Sequence, residues 1–353
     1  MKLVKIKMMS AAVLIAAIVN VSMAQPTTKP VEPVPDPVAQ RVESLRQRFI
    51  TAVKSSDWNT ALDVGMAIHE IHPDEGDAAY NIARVFALLN DVDHAFEWLQ
   101  KAAESGFSSS EMVREDEKFT ILRGDPRFEQ TLNLIDTTRQ SQFETIKATY
   151  DDQQLLTILP PGYKDTTTGP LVIALHGVGA DPRDIMGAWM NTTMYSGCIL
   201  VTPHGPRKYK NGYAWRYPDE SQWVVLHALD RAIEEENIET SKILVAGFSQ
   251  GATVAFNVAL ANPQLIRGVV CSSGQYDLTH IKAPLDLEKE AWPKFFLMCG
   301  SEDVRKMSAQ AARDKLRRLG FSVVYKEYAG VGHSLPEAYD AELQQGYQFI
   351  MGD

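Results

Sequence analysis

The pentapeptide Gly247-Phe248-Ser249-Gln250-Gly251 fits the pattern G-x-S-x-G. It is preceded by the apolar, β-branched run 243–246 and followed by an almost wholly apolar stretch, 252–260, that reads as a buried helix. A buried strand feeding a buried helix through so short a link demands a sharp turn. Glycines two residues either side of the central serine remove side chains that would collide across that turn, and the serine takes a strained backbone conformation at its tip. A nucleophile elbow is built in this way. The same five residues between polar segments would be an ordinary turn.

The sequence around this turn alternates. Short apolar runs at 155–159, 171–175, 198–202, 243–246, 268–271, 295–299 and 322–325 read as strands. The run at 171–175 has no polar interruption, as expected of a strand covered on both faces. Helical patterns lie at 222–236, where Val225, Leu229 and Ile233 form one stripe, and at 308–319 and 337–351. Strands alternating with helices predict an α/β domain with a mostly parallel sheet, and such sheets gather chemistry at the carboxyl ends of their strands. Those ends carry His176-Gly177-Val178-Gly179, then Ser249, then Gly300-Ser301-Glu302-Asp303-Val304, then Gly330-Val331-Gly332-His333-Ser334.

A serine hydroxyl is a weak nucleophile at neutral pH and needs a base. His333 can take the Ser249 proton and return it to the leaving group, and a carboxylate can orient the imidazole and stabilise its charged form. Asp303, Glu302 and Asp277 all follow strands and are candidates. The order nucleophile, acid, histidine is that of α/β-hydrolases. The turn itself presents the backbone N–H of Gln250 to a developing oxyanion. Tyr209, Tyr213, Trp215, Tyr217 and Trp223 crowd one segment, and Trp215 is the favoured pocket wall among them; a loop tucked onto the domain is the plainer alternative.

From about residue 155 to the C-terminus the chain resembles the phospholipase/carboxylesterase family of α/β-hydrolases, which includes small bacterial esterases and acyl-protein thioesterases. The resemblance rests on Leu175-His176-Gly177, Gly247-Phe248-Ser249-Gln250-Gly251, the loop at Asp303 and Gly332-His333. It implies an α/β-hydrolase fold over 150–353 and a Ser249, Asp303, His333 triad. It favours Asp303 over its rivals and adds the Val178 N–H to that of Gln250 as oxyanion donors. It implies no metal and no cofactor, and it leaves His176 as a brace for its loop. Ala252 departs from the family pattern, where many members carry another glycine.

The first half of the chain is different. Residues 1–24 hold a basic start, an apolar run and Ser22-Met23-Ala24, the pattern of a secretory signal peptide. Its apolar run is short for a membrane span, so none is expected after cleavage, and the mature protein is expected in the periplasm or outside the cell. Residues 25–39 form a proline-rich linker. From 40 to 140 the pattern is helical, and Asp57, Trp58 and Ala61 recur at an offset of 34 as Asp91, Val92 and Ala95. This resembles tetratricopeptide repeats. A small all-α domain is predicted there, either a groove for a protein or peptide partner or a structural appendage.

The formal charge of −10 argues against nucleic acid as a partner. Cys198, Cys271 and Cys299 sit in apolar runs and read as buried free thiols. The combined expectation is an exported serine carboxylesterase acting on a small-molecule or lipid-like ester. A peptidase or thioesterase with the same triad is one rival, and a repeat-based binding protein with an inactive hydrolase domain is another.

Overall fold

The computed structural model describes residues 4–7 and 37–352, apart from 74–75, 151–154, 165 and 210. The described residues divide into two compact units, one over 37–149 and the other over 150–352 together with the strand at 4–7.

The second unit is built on an eight-stranded sheet. Its strands are β1 (Val4–Lys7), β2 (Leu156–Leu159), β3 (Gly169–Leu175), β4 (Ile199–Thr202), β7 (Ile238–Phe248), β8 (Gly268–Ser272), β9 (Lys294–Gly300) and β10 (Val323–Tyr328). A separate two-stranded hairpin holds β5 (Arg207–Tyr209) and β6 (Gly212–Ala214). The large sheet runs β1-β2-β4-β3-β7-β8-β9-β10, and β2 against β4 is its antiparallel pairing. Side chains alternate across each strand. Leu171, Ile173 and Leu175 therefore enter one core with the helices Pro218–Glu235, Gln250–Ala261 and Lys306–Leu319. Val172 and Ala174 enter the opposite core with the helices Pro182–Ser196 and Tyr339–Met351. Both faces are covered, which is why the central strands read as unbroken apolar runs.

Strand order turns back at β3. The chain leaves β3 for β4 on one side and later returns to place β7 on the other. A crevice at such a switch point is where doubly wound sheets bind ligands, and here it is flanked by the loops after β3 and β7. The three cysteines are free and buried. Among the described residues no helix is long and apolar enough to cross a membrane.

Two elements were not anticipated. The helix Pro182–Ser196 opens on a capping box: the Asp181 side chain accepts from the first turn and the Asp184 carboxylate accepts the Asp181 N–H, with Pro182 in the first turn. That signature was legible in Asp181-Pro182-Arg183-Asp184. The β5–β6 hairpin has strands of three residues, too short for a periodicity to register.

The first unit is all helical: Pro37–Lys54, Trp58–Ile71, Gly76–Leu88, Val92–Glu104, Ser110–Glu115, a 3-10 turn at Glu117–Leu122, and Arg127–Thr149. Its last helix runs past residue 140, the expected end of the helical region, to Thr149. Its first begins at Pro37, inside the stretch expected to be linker, because proline is tolerated in the first turn, where no N–H partner is required. The offset of 34 is a physical repeat. Asp57 accepts the Thr60 N–H and Asp91 accepts the His94 N–H, each at 3.2 Å. Ser56 and Asn90, one residue before each aspartate, both have positive φ. Ala61 and Ala95 are both fully buried where paired helices meet. Asp125 stands at the next equivalent place and accepts the Arg127 N–H at the start of the last helix. Of residues 1–24, expected to be a leader, only Val4–Lys7 is described, as an edge strand parallel to β2; the remainder, with residues 25–36, lies outside the described residues.

Candidate active site

Ser249 stands between β7 and the helix Gln250–Ala261 with φ 57° and ψ −118°. Few residues other than glycine adopt this conformation, and it persists only where the surroundings enforce it. The enforcement is visible. The Ser249 N–H donates to the Ser272 carbonyl on the neighbouring strand at 2.8 Å. The two glycines of the motif are required by contact: a Cβ on Gly247 would meet the Gly251 carbonyl carbon at 2.3 Å, and one on Gly251 would meet the Leu175 oxygen at 2.3 Å. Strand, turn and helix are thus locked together, and the Ser249 side chain is aimed at the carboxyl end of the sheet.

The structure brings Ser249, His333 and Asp303 together from three strand ends. His333 Nε2 lies 2.9 Å from Ser249 Oγ, and His333 Nδ1 lies 2.8 Å from Asp303 Oδ2. An ionised carboxylate only accepts. The Nδ1–H therefore donates to Asp303, leaving Nε2 as the acceptor for the Ser249 hydroxyl. Asp303 is buried, while the His333 side chain is 39% exposed. Burial pushes the Asp303 carboxyl up, but the Arg305 N–H, the His333 ring and the Ser273 hydroxyl together hold it below its ordinary value. It is an anion at neutral pH. The rival acids lie elsewhere: Glu302 is exposed, and Asp277 caps a short 3-10 turn by accepting from Thr279.

The loop after β3 lies beside the serine, where a Cβ on Gly177 would come within 3.4 Å of the Ser249 Cβ. His176 holds this loop. Its Nδ1–H donates to the Gly177 carbonyl at 2.7 Å and its Nε2 accepts the Gly205 N–H at 3.0 Å. Burial lowers its pKa to about 4, outweighing the Gly177 carbonyl, so the ring is neutral and both bonds persist at neutral pH. Trp215 is only 3% exposed, and its indole N–H donates to the His176 carbonyl at 2.9 Å.

One cavity reaches Ser249, and a second lies beside its neighbours Gln250 and Arg305. One, about 490 Å³, is walled by Val178, Ile185, Ala188, Phe248 and Leu335 and reaches Ser249 and His333. The other, about 340 Å³, is bounded by Val178, Trp215 and Tyr217 on one side and Arg216, Gln275 and Arg305 on the other. Val178, the predicted oxyanion residue, borders both. Trp215, the predicted pocket wall, borders the smaller one.

Two site residues, Ser273 and Arg305, and one side-chain contact, that of Gln250, lay beyond the sequence patterns. The Gln250 side chain accepts the Trp215 N–H at 2.8 Å, tying the aromatic segment to the turn. Ser273, with φ 57°, turns its carbonyl towards Arg305. Arg305 Nη1 lies 2.7 Å from Ser249 Oγ. Only Arg305 left a trace in the sequence: a cation where a helix begins runs against the preference of the helix dipole.

Residues 219–351 match the family model described as phospholipase/carboxylesterase, a span that contains Ser249, Asp303 and His333. Among solved structures, an uncharacterised protein from Bacillus cereus aligns over 87% of this chain and 98% of its own, at 18% identity and a TM-score of 0.48. Acyl-protein thioesterase 2 from Zea mays aligns over 54% of this chain and 97% of its own, at 19% identity and a TM-score of 0.45. Esterase PE8 aligns over 53% and 94%, at 23% identity and a TM-score of 0.41.

Proposed function

We propose that the protein is an exported serine hydrolase of carboxylic esters, working through an acyl-enzyme. The observation that carries this reading is the hydrogen-bonded relay Ser249 Oγ, His333 Nε2, His333 Nδ1, Asp303 Oδ2, with links of 2.9 and 2.8 Å. Ser249 attacks the ester carbonyl as His333 takes its proton. The tetrahedral oxyanion receives the N–H groups of Gln250 and Val178, each worth about 3 kcal/mol in the transition state. His333, held in its tautomer by Asp303, protonates the departing alcohol. Water, activated by the same imidazole, then releases the acid. No step calls on a metal or cofactor. The larger cavity, with its aliphatic and aromatic walls, suits the apolar part of a small or lipid-like ester.

Export is proposed from the leader pattern in residues 1–24; the amino-terminal sequence of the protein recovered from its native host tests it, with Gln25 expected first. The helical unit is proposed to be a tetratricopeptide-type repeat that holds a protein or peptide partner. A cavity of about 430 Å³ supports this, combining Phe49, Ile50, Val53 and Leu88 with the cations Lys54 and Lys118.

A panel of p-nitrophenyl esters, acyl thioesters and aminoacyl amides, run on the wild type and on Ser249→Ala, tests the catalytic reading. Ester turnover that disappears in Ser249→Ala is expected. Cleavage of amides or thioesters with no ester turnover would replace the substrate class. Failure of a fluorophosphonate to label Ser249 would favour the rival reading, a binding protein with an inactive domain.

A further inference from the structure

Arg305 has no part in the mechanism above, yet it touches both reacting side chains. Its Nη1 lies 2.7 Å from Ser249 Oγ, 3.0 Å from His333 Nε2 and 2.9 Å from the Ser273 carbonyl. A guanidinium carries donors only. Ser249 Oγ must therefore accept from it, and the single lone pair on Nε2 is offered two donors, the serine hydroxyl and the arginine. Among the described residues the guanidinium has no carboxylate in ion-pair reach. The nearby Asp303 is already used, its Oδ2 by His333 and its Oδ1 by the Arg305 backbone N–H. An unneutralised cation thus stands beside the imidazole that has to become a cation during the reaction. In the free enzyme this opposes the proton transfer.

The two cavities differ in the same sense. The larger is walled mainly by apolar side chains near Ser249. The smaller is bounded by Arg305 and Arg216 with Gln250, Thr253, Asn257 and Gln275, and no carboxylate borders it. The chain as a whole carries a formal charge of −10, so the cation that Arg305 sets beside Ser249 runs against the molecule's mean field.

We propose that Arg305 is a specificity residue that pairs with an anionic group on the substrate, and that the preferred substrates are esters carrying a carboxylate a few bonds from the scissile carbonyl. This inference rests on the ester-hydrolase reading. A carboxylate seated in the smaller cavity draws the guanidinium off Ser249 Oγ and His333 Nε2 and neutralises it. The substrate that fits thereby frees the nucleophile and lets the imidazole take its proton. A neutral ester leaves Arg305 on both.

Two matched pairs test this on the full chain. p-Nitrophenyl butyrate and p-nitrophenyl hemisuccinate differ by a carboxylate for a methyl on the acyl side. The butyrate esters of 4-hydroxybenzamide and 4-hydroxybenzoate differ by a carboxylate on the alcohol side. In at least one pair the wild type is expected to favour the anionic member by about tenfold in kcat/KM, with the preference shrinking as sodium chloride is raised. Arg305→Met is expected to lower that ratio at least tenfold, and Arg305→Lys to keep part of it, because an ammonium holds the charge without the fork. The ratio is internal to each variant, so a general loss of activity does not imitate the effect. Equal kcat/KM within both wild-type pairs overturns the proposal, whether or not Arg305→Met folds. So does an unchanged ratio in an active Arg305→Met. If the wild type cleaves no ester at all, the ester reading fails separately. Labelling of Ser249 by a neutral fluorophosphonate then decides the role of Arg305: succinate monoamide speeds labelling of the wild type and leaves the rate of Arg305→Met unchanged, or it fails to speed the wild type and the proposal falls.

Discussion

Four residues other than glycine have positive φ among the described residues, two in each unit, and the two pairs serve opposite ends. Ser56 and Asn90 sit in the helix-to-helix turns of the first unit, 34 residues apart. Each donates its N–H to a carbonyl three residues back and hands the chain to a capping aspartate. The left-handed residue ends a helix there, as glycine commonly does. Ser249 and Ser273 sit at the ends of β7 and β8 in the second unit. Their N–H groups are pinned to neighbouring strands, Ser249 to the Ser272 carbonyl and Ser273 to the Met298 carbonyl at 2.9 Å. Backbone strain of this kind costs about 1–3 kcal/mol per residue. In the turns it is a local accommodation that another residue could make better. At the sheet it is imposed by strands far apart in sequence, and it points a hydroxyl and a carbonyl at the same arginine.

Substitutions should therefore act on chemistry in one unit and on stability alone in the other. Ser249→Ala is expected to abolish ester turnover, a fall in kcat on the order of a millionfold as in other triad serines, with the thermal midpoint nearly unchanged. Asp303→Asn keeps the shape but offers an amide to His333 Nδ1 and favours the wrong tautomer; a fall of about 10⁴ is expected. Steady-state kinetics on one p-nitrophenyl ester measure both. If Asp303→Asn lost less than tenfold, the relay read from the 2.8 Å contact would not be the working one.

The two units also differ in how much of them the sequence displayed. The repeat was legible because its period is written in local residues: an aspartate that caps, an alanine that lets helices approach, and the same pair 34 positions on. The turn at Ser249 was legible because the glycines that permit it are adjacent in the chain. The acid and the histidine were legible from their places after strands, in a fixed order. Arg305, Ser273 and the Gln250 side chain act through contacts across 56, 32 and 35 residues of sequence, and no local pattern announces such a contact. Helix Pro182–Ser196 differs from these, since its capping box is written in the adjacent residues Asp181 to Asp184.

Glycine packing sharpens the contrast. Gly251→Ala drives a Cβ to 2.3 Å from the Leu175 oxygen, which is backbone and cannot swing away. A loss of about 3 kcal/mol is expected in urea unfolding, together with lost turnover. Gly124, in the third repeat turn of the helical unit, has nothing within 4 Å of such a Cβ. Gly124→Ala is expected to change stability by less than about 0.5 kcal/mol.

The loop that carries Val178 has its own pH signature. His176 is neutral and buried in the fold, with its pKa lowered by burial to about 4, and ordinary in the unfolded chain. The unfolded state therefore binds the proton first. The stability His176 contributes is complete above about pH 6.5 and is lost as pH falls towards about 4, a total of about 3 kcal/mol. Asp303 is depressed as well, but its contribution is lost only within and below the ordinary carboxylate range, at the acid end of this window. Unfolding free energy measured between pH 7 and pH 4 should fall more steeply in the wild type than in His176→Asn. Parallel curves would mean that the ring is not kept neutral by its burial.

A small gain in stability tests the helical side of the comparison. Ser56→Gly removes a left-handed cost of about 1–2 kcal/mol for an L-residue and adds the entropy that glycine brings to the unfolded chain. The net expectation is a gain of up to about 1 kcal/mol. Asn90→Gly should gain less, because asparagine already tolerates the left-handed region. Neither residue bonds to anything in the site, so kcat/KM for a p-nitrophenyl ester should stay at the wild-type value in both. Thermal melts of the two variants, ranked Ser56→Gly above Asn90→Gly above wild type, would support strain that is locally discharged. A reversed ranking would mean that these turns, like those at Ser249 and Ser273, are held by something beyond their own hydrogen bonds.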